Sequence, residues 1–271
     1  MILRKFLSLA LGWALVIGLP PIVWAQEMEL VTDRPDQTES TNIVPVGYIQ
    51  VETGGTFVHD KNQGVKVRSY EFPGTLVRAG VMDGAELRIG WGGYAWQKTE
   101  DNGISRIDGG SDMEIGSKIH LWQEKGLRPE GALLTGISLP TGSQNFTSER
   151  VDPSFRFNMS HTLNDRLSLG YNLGATWGSS LNDNLEDRDR AGVFNYTTSL
   201  GIGLSEKLGM FVEFFGDVPV NARGRPQNSF DGGFTYKLQP NVQLDISGGV
   251  GISEDANDFF AGMGISVRWP S

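Results

Sequence analysis

From about Val46 to Trp269 the chain alternates apolar and polar residues, in segments of about ten. In the stretch Arg166 to Gly178, Leu167, Leu169, Tyr171, Leu173, Ala175 and Trp177 fall on one side. Ser168, Gly170, Asn172, Gly174 and Thr176 fall on the other. A period of two sends alternate side chains to opposite faces of a strand. Two folds use such strands throughout. In a soluble sandwich a second sheet covers the apolar face. In a transmembrane barrel that face meets lipid and the polar face lines the lumen.

The pattern predicts an all-β fold, an antiparallel transmembrane β-barrel of about twelve strands, an even number as in single-chain bacterial barrels. The strands are expected near 46–58, 65–81, 85–97, 111–122, 129–139, 153–163, 166–178, 192–204, 208–218, 228–238, 241–252 and 259–269. Short connections, such as Met82-Asp83-Gly84 and Ser205-Glu206-Lys207, alternate with long polar ones. The long ones are Lys98–Gly110, Pro140–Asp152, Ser179–Ala191 and Val218–Gln227. Short periplasmic turns and long outer loops are the barrel rule, so both termini are expected in the periplasm. A sandwich has no reason to keep its long loops at one end.

Residues 1–25 read as a secretory signal peptide. Arg4 and Lys5 precede an apolar run from Phe6 to Gly18, and Val23 and Ala25 suit a cleavage site after Ala25. The run is short for a bilayer-spanning helix. Residues 26–45 form an N-terminal periplasmic segment, outside the barrel or tucked into its mouth, and 46–269 form the barrel itself. The chain carries 23 Lys plus Arg against 32 Asp plus Glu, a net charge of −9, and loss of Arg4 and Lys5 makes it more negative. That excludes a nucleic-acid partner, which needs a basic face. With no cysteine, disulfides and thiol chemistry are excluded. The 36 glycines suit tight curvature and lumen space. Tyr48, Trp91, Trp96, Trp122, Trp177 and Trp269 sit near strand ends, where barrels carry aromatic girdles.

Thr32-Asp33-Arg34-Pro35-Asp36-Gln37-Thr38-Glu39-Ser40, followed by Val44-Pro45-Val46-Gly47-Tyr48, resembles the opening of a known family. Glu86-Leu87-Arg88 and Ser138-Leu139-Pro140-Thr141-Gly142 add to the match. These are transporter-like outer-membrane proteins named for a role in the meta-pathway of phenol degradation. The resemblance implies an outer-membrane barrel passing small, hydrophobic or aromatic molecules. It implies no catalytic residues.

Inward faces are expected to carry Gln50, Glu52, Arg78, Glu86, Arg88, Glu114, Lys118, His120, Arg156, Asn158, Asn172, Glu213, Asp217, Asp231, Lys237, Gln243, Asp245 and Arg268. An Arg or Lys on the lipid face would cost about 2–4 kcal/mol at midplane. The functional reading is a conducting path whose charges select solutes, with Lys98–Gly110 and Pro140–Asp152 as loop constrictions. The structural alternative is a salt-bridge network that fills a narrow barrel. The Asp33-Arg34-Pro35-Asp36 turn is a plug or gate, or, the favoured reading, a linker with a local Arg–carboxylate pair. The acidic runs Asn182–Arg190 and Glu254–Asp258 offer oxygen ligands for calcium but lack EF-hand spacing, and read as solvated loops.

No enzyme is expected. The histidines are His59, His120 and His161, and Ser160 and His161 point to opposite faces. The expected function is an outer-membrane channel or transporter for small solutes, without cofactor or metal. The alternatives are a closed structural or surface-interaction barrel, and behind it a lipid hydrolase. The expected partners are outer-membrane lipid and lipopolysaccharide, the barrel-assembly machinery and a small-molecule solute.

Overall fold

The computed structural model describes residues 29–178, 191–220 and 224–270. The expected signal peptide and the acidic run Asn182–Arg190 lie outside them. The described residues hold fourteen strand segments and no helix. They are β1 (Tyr48–Asn62), β2 (Val65–Met82), β3 (Ala85–Trp91), β4 (Tyr94–Glu100), β5 (Ile104–Gly110), β6 (Met113–Trp122) and β7 (Glu130–Leu139). The rest are β8 (Asp152–Asn164), β9 (Leu167–Gly178), β10 (Ala191–Gly203), β11 (Leu208–Pro219), β12 (Gln227–Gln239), β13 (Val242–Gly251) and β14 (Phe259–Pro270).

Neighbouring strands are antiparallel, and β1 pairs with β14 from Tyr48↔Pro270 to His59↔Phe259, which closes the sheet. Two staves are broken. β2 pairs with β3 below and β4 above, so β3 and β4 are halves of one stave. β6 pairs with β3 and β5 with β4, so β5 and β6 are halves of the next. The barrel therefore has the twelve staves expected.

The break has a local cause. Pro73 has no N–H to give a ladder, and β2 loses its pairing between Phe72↔Tyr94 and Thr75↔Trp91. Gly93 sits opposite with φ +102°, and a Cβ there would lie 2.9 Å from the Pro73 carbonyl. Ser111 bridges the gap, its N–H donating to Gly93 O at 2.9 Å.

One expected loop is a strand pair instead. Lys98–Gly110 holds the end of β4, a turn at Asp101–Gly103, and β5. Its polar residues mark a hairpin standing in water, where neither face needs apolar cover and the alternation fades. The other expected constriction, Pro140–Asp152, is a loop up to Val151. Asp112 fastens it by accepting the N–H groups of Gly142 (2.8 Å) and Ser148 (3.0 Å). Partial burial opposes ionisation of Asp112, but these donors outweigh it and hold its pKa below the usual aspartate range. A lowered folded-state pKa stabilises above the unfolded value and is lost as pH falls through the folded one. Asp112→Asn, which brings an N–H to two donors, should speed tryptic cleavage after Arg150 about tenfold at neutral pH. Cleavage no faster than in the parent would rule out this fastening.

The polarity is inverted relative to a soluble protein. The largest fully buried side chains include Arg78, Lys118, Gln50, Glu52, Glu86 and Glu213. Leu87, Ile89, Ile115, Phe157, Leu173, Phe234, Ile246 and Met263 are exposed on the outer face. A sandwich would bury the second set. Lipid does so here. Outward aromatics cluster toward the long-loop end, including Phe57–Tyr70 (centroids 4.7 Å) and Tyr94–Trp96 (4.9 Å). Tyr48, expected in a girdle, instead faces inward beneath the Arg268 guanidinium, 5.9 Å from its ring centre.

Candidate functional site: a plugged lumen

Residues 29–45 lie inside the barrel, in its short-turn half, rather than outside it or only at its mouth. The chain turns in at Pro45, whose carbonyl accepts the Tyr48 N–H (3.1 Å), and Val46 bridges to Gly80 on β2. A buried backbone must find partners, and Pro35 and Pro45 rule out a regular ladder. Wall side chains serve instead. Glu52 Oε2 accepts the N–H groups of Asp33 and Arg34, each at 2.9 Å. Glu213, Asn172 and Glu86 accept those of Gln37, Glu39 and Val44, each at 2.7 Å. Leu30 and Val44, two of the segment's apolar residues, are 2% exposed. The segment is a plug.

One side of the plug meets cations. Arg78 on β2 donates Nε and Nη2 to Glu86 (2.8 and 3.0 Å), Nη1 to Glu52 (3.0 Å) and Nη2 to the Asn42 carbonyl (2.8 Å). Its Nη1 also lies 3.1 Å from Asp33. Arg88 on β3 reaches Asp33 (2.5 Å) and Glu39 (2.9 Å). Lys118 on β6 donates to Asp33 (2.7 Å) and to the Ser40 carbonyl (2.9 Å). Four carboxylates thus surround three cations in a buried cluster, with Glu39 at its edge toward the open lumen. A buried charge needs such partners.

The other side meets carboxylates and hydroxyls. Arg34 reaches Asp245 on β13 at 3.1 Å. Its guanidinium lies over the cross-strand pair Gly54 and Gly264, where a Cβ on either would approach it to 2.5 Å. Thr38 Oγ1 bonds Thr197 (2.7 Å) and makes a short hydrogen bond to Glu213. Thr41 donates to Glu130 (2.8 Å), which lies 3.0 Å from His120 Nε2.

Above the plug, toward the long loops, the lumen is open. One cavity of about 220 Å³ lies between Gln37 and an apolar patch of Val58, Phe215 and Phe260, with Asp217 beside it. A second, of about 340 Å³, is lined by Glu39, Glu114, Leu134, Arg156 and Trp177 among others.

The expected lumen residues are thereby placed. Glu52, Arg78, Glu86, Arg88, Lys118, Glu213 and Asp245 are buried against the plug or one another, and Arg268 is buried beside Tyr48. Glu114 and Arg156 face the second cavity, and Asp217 the first. The favoured linker reading of Asp33-Arg34-Pro35-Asp36 gives way, because Asp33 pairs with Arg78, Arg88 and Lys118, and Arg34 pairs across the lumen with Asp245. The sequence reading did not single out Glu39, Thr38, Thr41 or Val44. Their signal was an uncompensated one: a polar segment facing a barrel interior rich in both signs. Ser160 Oγ meets Thr41 (2.9 Å), His120 meets Glu130, and His161 on the outer face meets Glu124 (3.2 Å). Among the described residues no cluster of His, Asp or Glu has the geometry of a metal site.

Twelve staves, an apolar outer face and a polar lumen filled by the chain's own N-terminal segment define a β-barrel of outer-membrane type. The chain belongs to the family described as "Putative MetA-pathway of phenol degradation", whose profile matches residues 32–269 and so takes in the plug. Among solved structures it is similar to an outer-membrane channel from Pseudomonas putida F1. The two are 11% identical over 87% of this chain and 99% of that one, with a TM-score of 0.65. It is also similar to the translocator domain of the autotransporter NalP from Neisseria meningitidis (12% identity, 83% and 90% covered, TM-score 0.56). The transport unit of the autotransporter AIDA-I from Escherichia coli is a third (10%, 83% and 90%, TM-score 0.53). At these identities the likeness is one of fold. No curated protein matches the sequence.

Proposed function

We propose that the protein is a non-enzymatic channel of the bacterial outer membrane that passes small solutes through a lumen gated by its N-terminal plug. The observation that carries this reading is the plug itself, a segment held in the lumen largely by hydrogen bonds and ion pairs, beneath open cavities. A barrel needed only as a wall can fill its lumen with its own inward side chains and needs no separate segment. The apolar patch of Val58, Phe215 and Phe260 beside Asp217 and Gln37 suits small apolar or aromatic solutes. The family's name, with its reference to phenol degradation, points the same way. Export would follow cleavage near Ala25, with insertion by the barrel-assembly machinery into a membrane bearing lipopolysaccharide.

A staple tests it. A Cβ on Gly170 of β9 would lie 3.0 Å from Thr38 Cγ2, and the parent has no cysteine. Thr38→Cys with Gly170→Cys should form one disulfide tying plug to wall. In a planar bilayer the oxidised protein is expected to pass no current, and a reductant to restore it. Equal currents in both states would show that passage does not depend on movement of the plug, and no current in either state would remove the channel.

A further inference from the structure

The two stems of the plug are held differently from its elbow. Asp33 on one side and Glu39 on the other are fixed to Arg78, Arg88 and Lys118. Between them, residues 34–38 lean on β10–β13, where carboxyls face one another. Glu213 of β11 and Asp231 of β12 are directly opposite in register, and both are almost completely buried. Asp36 brings a third carboxyl to the same place, against Ser199. Among the described residues no ion pair joins any of the three to a cation, and Asp231 Oδ1 is buried without a hydrogen-bond partner.

Glu213 accepts the Gln37 N–H and the Thr38 hydroxyl, which marks it as the ionised member. Two adjacent buried carboxylates without a cation cannot both ionise cheaply. The missing proton therefore belongs on Asp231, which then donates to Glu213. The other charged groups around the elbow are Asp33 in the plug, Asp217 further along β11, Arg34 held by Asp245, and Arg156 at the Gln37 carbonyl (3.4 Å). None of the described contacts brings a cation to Asp231. The first cavity lies directly above, with Gln37 as its floor.

We propose that residues 34–38 form a proton-latched gate, closed while protons held among Asp36, Glu213 and Asp231 leave one carboxylate ionised and opened when those protons pass to water. On their loss the like charges repel, and the elbow swings from β10–β12 while both stems stay docked. This rests on the channel reading above, but its readout does not need current.

Thr197 is buried beneath Thr38. In otherwise cysteine-free protein, Thr197→Cys should react with a small thiol reagent only when the elbow moves. Rates are normalised to Ser105→Cys, an exposed site that corrects for thiol ionisation. The normalised rate is expected to rise about tenfold between about pH 5 and pH 9. Asp231→Asn should hold it low throughout, with folding checked by heat-modifiable migration in gels. Asp36→Asn, which removes the elbow's own charge and one carboxylate from around the shared protons, should shrink the rise and move what remains to lower pH. A rate flat with pH, one equally pH-dependent in Asp231→Asn, or one that follows added calcium instead of pH would overturn the gate. If steady current accompanied such a result, the channel reading would survive and only the latch would fall. A pH-dependent rate without current would keep the latch and remove the channel.

Discussion

Deleting residues 30–43 should turn a closed barrel into a steadily open pore, with single-channel conductance at least about tenfold above the parent, because an unfilled twelve-stave barrel encloses a continuous lumen. The wall should survive the deletion. Its closure depends on the β1–β14 ladder, and Tyr48 and the strands beyond it are untouched. The change in ion preference follows from what the plug leaves behind. It removes Asp33 and Glu39, which neutralise Arg78, Arg88 and Lys118. It also removes Arg34, which neutralises Asp245. The exposed wall then carries Glu52, Glu86, Glu114, Glu130, Asp152, Glu213, Asp217, Asp231 and Asp245 against Arg78, Arg88, Lys118, Arg156, Lys237 and Arg268. A pore lined by excess negative charge favours cations, so the reversal potential in a salt gradient should report cation selectivity. Unaltered conductance would mean that the plug is not the barrier. Anion selectivity would mean that the acidic wall does not face the path.

The wall was legible in the sequence because lipid on one side and polar lumen on the other impose a strict period of two. That constraint fails wherever neither medium applies. The β4–β5 hairpin stands in water, so Lys98-Thr99-Glu100 reads as loop although it is strand. The plug has no period at all. Its backbone is satisfied by Glu52, Glu86, Asn172 and Glu213, which lie far along the chain. The inward charges could be listed from alternation alone, but their partners could not. Arg78 and Arg88 look like selectivity residues in a list of lumen charges. In space they lie buried against Asp33, while Arg156, Glu114 and Asp217 remain at open cavities. The resemblance at Thr32–Ser40 marked the plug as a family feature without revealing where it goes.

Arg78 is the side chain on which the basic half of the lumen depends, and Arg78→Met should cost about 3–5 kcal/mol, the range for breaking one partner out of a buried charge cluster. The loss exceeds that of a single pair because one guanidinium serves Glu86 through two nitrogens, Glu52 through a third contact, the Asn42 carbonyl and Asp33. Methionine fills the volume but leaves Glu52 and Glu86 facing each other's charge. Glu52 also receives the N–H groups of Asp33 and Arg34, so disturbance there reaches the plug directly. The variant should unfold at lower denaturant when followed by heat-modifiable gel migration, and its plug should become accessible to protease from the short-turn end. Arg78→Lys separates charge from geometry. An ammonium is a point charge without the planar fork, and it cannot reach Glu86, Glu52 and Asn42 together. It should fall between the parent and methionine in stability. If lysine matches the parent, net charge alone sustains the cluster; if methionine matches it, the network carries no stability and Arg78 is a lining residue after all.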